Sequence, residues 1–225
     1  MNYEIIGGNF PAAVCKMKAG EAIKCEAGAM SWMDPSIRME TKSGGLGKLV
    51  GRALSKETLF LNRFVADADG EIAFSACTPG QIIPVEIQPG KSIVAQKGAF
   101  LAADEGVDLD IFFQKKIGSG LFGGEGFIMQ KLSGQGTALL EIDGGVVEYT
   151  LAPGQKKVLD TGYLVMMDET CSIDIVMIKG ATNILFGGEG LFNTVVTGPG
   201  KIVIQTMPMV QMVSDIAELI QRVNK

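Results

Sequence analysis

Gly90-Lys-Ser-Ile-Val-Ala-Gln-Lys-Gly98-Ala-Phe-Leu-Ala-Ala-Asp104 occurs three times in outline. The other copies are Gly20-Glu-Ala-Ile-Lys-Cys-Glu-Ala-Gly28-Ala-Met-Ser-Trp-Met-Asp34 and Gly154-Gln-Lys-Lys-Val-Leu-Asp-Thr-Gly162-Tyr-Leu-Val-Met-Met-Asp168. Each has two glycines eight residues apart and an aspartate six residues later. A glutamate follows in each copy (Glu57, Glu125, Glu189), then a glycine-led apolar run from Gly70, Gly136 or Gly200. Leu-Phe-Gly-Gly-Glu-Gly stands at both 121–126 and 185–190. Repetition at a fixed period decides the architecture before any motif is read. It also assigns Asp34, Asp104, Asp168 and the three glutamates to scaffold before chemistry.

Outward from these skeletons, the segments between glycines read as short strands. Ala22–Glu26, Val107–Phe113, Val146–Leu151 and Ser172–Met177 are examples, rich in β-formers and bounded by Gly, Pro or Asp. Pro79-Gly80, Pro89-Gly90, Pro153-Gly154, Asp69-Gly70 and Asp143-Gly144-Gly145 supply turns. The predicted fold is all-β: three tandem homologous β units of sandwich or double-stranded β-helix type, arranged with pseudo-three-fold symmetry. The chain, 1–225, is read as a single compact domain with repeats at 20–89, 90–153 and 154–207. A C-terminal helix is predicted over 208–225, with Val210, Val213, Ile216, Leu219, Ile220 and Val223 at helical spacing behind Pro208. It is expected to pack on the β body.

The bulk composition excludes several classes. With 20 Lys and Arg against 25 Asp and Glu, the net charge is −5, so nucleic acid is an unlikely partner for want of a basic face. No run reaches the ~20 apolar residues that span a bilayer. The first residues lack a basic region followed by an apolar stretch, which predicts no signal peptide. Cys15, Cys25, Cys77 and Cys171 are scattered and read as reduced thiols of a cytoplasmic protein.

Histidine is absent from the sequence, which removes Ser-His-Asp and Cys-His arrangements and the usual His-based metal cluster of double-stranded β-helix enzymes. No catalytic residue, cofactor or metal site is assigned. The Gly-Gly-Glu-Gly runs lack the Lys-Ser/Thr of a phosphate loop and read as tight bends. Two readings of the three aspartates stand: turn caps acting through local backbone, or acids gathered at a pseudo-axis around a cation. Trp32 reads as core or subunit interface rather than a ligand platform. The first unit carries a glycine-rich insertion, Ser43–Leu54, with Lys48, Leu49, Arg52 and Leu54 as candidate interaction residues. It is open between a surface loop, a short helix at Leu49–Leu54 and a contact loop for a protein or membrane surface.

The run Gly44-Gly-Leu-Gly-Lys-Leu-Val-Gly-Arg-Ala-Leu-Ser-Lys-Glu-Thr-Leu-Phe-Leu-Asn-Arg-Phe64 resembles a bacterial family of unknown function related to the yeast altered-inheritance-of-mitochondria protein. Gln96–Ala103, Leu121–Gly126 and Val203–Thr206 extend the resemblance over nearly the whole chain. It implies a fold like that of the tryptophan RNA-binding attenuator protein, assembled in rings or trimers. Neither tryptophan nor RNA binding follows from it, because fold does not imply function. The mitochondrial relative's link to inner-membrane organisation implies a scaffold. The expected function is therefore a non-enzymatic scaffold or binding protein, homo-oligomeric with a trimer as first choice. The alternative is a small-ligand or RNA-binding sensor.

Overall fold

The computed structural model describes residues 1–40, 61–115, 126–177 and 192–209, with Met212, Val213, Ile216, Leu219 and Ile220. Almost all of it is antiparallel β. The strands are β1 Asn2–Ile6, β2 Ala12–Met17, β3 Ala22–Glu26, β4 Met30–Met33, β5 Ile37–Glu40, β6 Leu61–Ala66 and β7 Gly70–Ser75. Next come β8 Gly80–Ile87, β9 Ile93–Gln96, β10 Phe100–Asp104, β11 Val107–Lys115, β12 Phe127–Gly134 and β13 Gly136–Asp143. Last are β14 Val146–Leu151, β15 Lys156–Asp160, β16 Leu164–Asp168, β17 Ser172–Met177, β18 Phe192–Thr197 and β19 Gly200–Gln205.

They form four sheets, ordered β1-β2-β7-β4, β5-β6-β3-β10-β13-β8, β11-β12-β9-β16-β19-β14 and β15-β18-β17. Four pairings recur along the chain: β2 with β7, β8 with β13 and β14 with β19; β4 with β7, β10 with β13 and β16 with β19; β3 with β6, β9 with β12 and β15 with β18; β5 with β6, β11 with β12 and β17 with β18. Even the irregularities recur, because the register slips between Met30 and Trp32, Phe100 and Ala102, and Leu164 and Met166.

Side chains alternate across each strand, so one strand feeds two cores. Ala102 of β10 faces a first cluster with Cys15, Phe64, Phe74 and Leu139. Its neighbour Ala103 faces a second, with Phe100, Leu132, Leu140 and Val203. A third gathers Val94, Phe127, Met129, Leu164, Met167 and Ile202. Phe64 and Phe74 meet edge to face, ring centroids 6.4 Å apart, and burying each such side chain contributes about 2 kcal/mol. The two six-stranded sheets are thus shared between successive cores, joined edge to edge at β3·β10 and β9·β16. A closed three-fold arrangement would also join β15 to β4. Those strands instead end separate sheets.

Gly20, Gly90 and Gly154 take positive φ of 87°, 78° and 75° at the turns that open each repeat, a backbone that glycine enters without steric penalty. Gly98 does not, and lies in a 3-10 turn, Lys97–Ala99. In the C-terminal segment the Met212 N–H bonds the Pro208 carbonyl, as in one helical turn. Val213, Ile216, Leu219 and Ile220 are exposed rather than packed on the sheets.

Candidate functional site

Each repeat aspartate accepts a backbone N–H from a neighbouring strand. Asp34 takes that of Glu71 at 2.9 Å, Asp104 that of Thr137 at 2.8 Å and Asp168 that of Lys201 at 2.7 Å. The donor opens β7, β13 or β19, directly after Gly70, Gly136 or Gly200. A Cβ on Gly136 would fall 2.7 Å from the Asp104 Cβ, and one on Gly200 would fall 3.0 Å from the Asp168 Cβ. The aspartate and glycine of each repeat are therefore one device, a carboxylate seated against a bare backbone. The amino group of Met1 also reaches Asp104, at 2.9 Å. The three acids lie at the ends of β4, β10 and β16, in three different sheets, and no group of three metal-ligating side chains occurs among the described residues. Glu57, Glu125, Glu189 and the loop residues Lys48, Leu49, Arg52 and Leu54 lie outside the described residues.

The sequence did not single out a cleft of about 240 Å3 where the β7–β8 connection, the end of β13 and the start of the C-terminal segment converge. Glu141 and Asp143 alternate with buried Leu140 and Ile142 on β13. Glu141 accepts the Cys77 N–H at 3.0 Å. Burial pushes its carboxyl up to about 7; the Cys77 N–H opposes this, and the charges of Asp143 and Glu26 add to it. Asp143 is saturated. It accepts the Thr78 hydroxyl and the Met209 N–H, and its own N–H bonds Gln205 Oε1. That carboxylate ties down the first turn of the C-terminal segment, as an acidic cap does.

Cys77 is the exposed thiol of this cleft. The Glu141 charge, then burial, then Asp143 raise its pKa, so it stays a neutral thiol and a poor nucleophile. Burial above all pushes Cys15 and Cys25 up to about 12; the Met1 amino group opposes this at Cys15 while Asp104 adds to it, and Glu26 adds to it at Cys25.

Exposed apolar side chains mark two other regions. Met39, Phe112, Val176 and Met177 stand on β5, β11 and β17, the outer strands that lead into 41–60, 116–125 and 178–191. Trp32, Met33 and Val158 stand on the unpaired edges of β4 and β15. No helix among the described residues is long and apolar enough to cross a membrane.

Residues 3–207 match the family described as Mitochondrial biogenesis AIM24. The chain is 32% identical to protein M6_Spy0233 of Streptococcus pyogenes serotype M6 over 212 residues, 90% of this chain and 84% of that protein. The crystal structure of protein SPYM3_0169 from Streptococcus pyogenes superposes with a TM-score of 0.80 at 27% identity, covering 97% of this chain and 99% of the other.

Proposed function

The chain belongs to the AIM24, mitochondrial biogenesis, family, and from that premise we propose that it is a non-enzymatic, homo-oligomeric scaffold working through surface contacts. One observation carries the reading: apolar side chains are exposed on the outer strands β5, β11 and β17 instead of lining a polar reaction cavity. Exposed apolar surface on this pattern marks contact sites. Three tandem sandwiches, β2–β7, β8–β13 and β14–β19, would present them side by side, with a C-terminal helix beyond. Unpaired thiols agree with a cytoplasmic setting. Lys48, Leu49, Arg52 and Leu54 would serve the first contact loop. The test is crosslinking capture from cells with the wild type and with a chain lacking 43–54. Loss of the captured proteins supports the reading, and an unchanged set removes the loop from it.

A second reading, a small-ligand sensor, has the Glu141 cleft behind it, where a cationic amine would stabilise the ionised carboxylate. A thermal-shift screen of amines at pH 7 checks it. A melting temperature unmoved by every amine rules against it.

A further inference from the structure

We propose that β4 of one copy pairs antiparallel with β15 of a second copy, in the register Trp32↔Leu159, Met33↔Val158 and Asp34↔Lys157, joining chains head to tail. The two junctions formed within the chain supply the template. In one, Ala102, Ala103 and Asp104 oppose Cys25, Lys24 and Ile23. In the other, Met166, Met167 and Asp168 oppose Ala95, Val94 and Ile93. Counted from the repeat glycines, Trp32, Met33 and Asp34 hold the first set of positions and Leu159, Val158 and Lys157 the second. β4 has the same register slip against β7 that β10 and β16 have against their partners. Both halves of a third junction are therefore formed, and among the described residues neither has a strand on its outer edge.

Burial gives the independent argument. At the formed junction Val94 and Met167 are both 0% exposed. Their counterparts Val158 and Met33 are 60% and 36% exposed, and Trp32, counterpart of fully buried Ala102, is 44% exposed. Edge strands that are meant to stay free carry charges or proline. Here β8 has Pro84, β11 has Asp108 and Asp110, β14 has Glu148 and β17 has Asp174. β4, Met30-Ser31-Trp32-Met33, has neither, while β15 carries Lys156, Lys157 and Asp160 around exposed Val158. The occupant is a second copy because each edge has the other's complement: β4 calls for a β9-like strand, which β15 is, and Lys157 brings a positive charge opposite Asp34. Within one chain the two edges belong to the first and last sandwiches and do not meet in a sheet. A head-to-tail contact of this kind is heterologous and builds rings or filaments.

The inference deepens the homo-oligomeric part of the proposed function and rests on it. Native mass spectrometry of the wild type separates the two: a monomer sinks both, whereas an oligomer indifferent to edge variants sinks the pairing alone. Val158→Asp is expected to raise the dissociation constant about 100-fold or more, since it buries a carboxylate against Met33. Adding Met33→Lys to Val158→Asp should recover much of that loss. The register is read by cross-linking in a Cys77→Ser background. Proteins with Met33→Cys and with Val158→Cys, mixed and oxidised, should give a disulfide-linked dimer containing one of each, because directly opposed strand residues reach disulfide distance. A disulfide within a single chain carrying both cysteines, a Met33→Cys protein linked to itself, or no link at all in the mixture overturns the proposal.

Discussion

Val94 and Val158 each follow a repeat glycine by four residues, on strands of the same design, β9 and β15. Val94 is sealed between β12 and β16, while Val158 has β18 on one side and, among the described residues, no strand on the other. The local sequence builds the strand in both places. Only the presence of a following sandwich decides whether its outer edge is covered, as in other repeat architectures. Such a run of strands is covered in its middle and open at β4 and β15. Unlike many terminal repeats, β4 has no charged residue on its outer edge.

One charge placed at each position separates the two valines most widely. Val94→Asp should cost about 4 kcal/mol or more, because an unpaired carboxylate would be buried at a finished junction. Val158→Asp should leave the isolated chain within about 0.5 kcal/mol of wild type. Urea denaturation at concentrations low enough to keep the chain monomeric measures both. Equal losses would mean that β15 is not open in solution.

Glu141 sharpens the contrast from inside the finished region. Its carboxyl titrates near 7 folded and near 4.5 unfolded. The folded state therefore holds the proton more tightly. Stability is full below about pH 4.5, falls as pH rises through 7 and is flat above. Glu141→Gln should match wild type at pH 4.5 and exceed it by about 3 kcal/mol at pH 8. Thermal melts across that range check it, and an advantage independent of pH would remove burial as the cause. The mass of the assembly should not change.

Gly136→Ala should cost about 2 kcal/mol, since the new methyl would press on the Asp104 Cβ at a φ of 141°. Gly90→Ala meets no atom within 4 Å and should lose about 1 kcal/mol, from its positive φ alone. The smallest effect belongs to the unfinished edge. Lys157→Gln should weaken association by about 0.5 kcal/mol, and less at high salt. Lys157 also sits 3.7 Å above the Tyr149 ring, which holds its charge in place.

Much of this was legible in the sequence. The glycine–aspartate skeleton located the turns, and the β-forming runs between them correspond to β3 through β19 with shifts of one or two residues at their ends. Ala22–Glu26, Val146–Leu151 and Ser172–Met177 have the same bounds in the structure, and Val107–Phe113 stops two residues short of the end of β11. β1 and β2 were passed over because they precede Gly20, where the pattern starts. The role of Asp104 was half legible. Spacing put it at a turn, but the amide that it accepts belongs to Thr137, 33 residues on. Glu141 was not legible at all. On β13 it alternates like a solvent-facing residue, and only the β7–β8 connection, which brings Cys77 from 64 residues away, takes it out of water. The open edges were invisible for the same reason: β15 reads as well as β9, and sequence does not say which strand lacks a neighbour.

The most direct test of edge pairing is the native mass of the wild type beside that of Val158→Asp at one micromolar concentration. The predicted result is a wild-type mass of two or more whole chains of 23.8 kDa and a folded Val158→Asp monomer. A monomeric wild type, or a Val158→Asp chain with the wild-type mass, would contradict it.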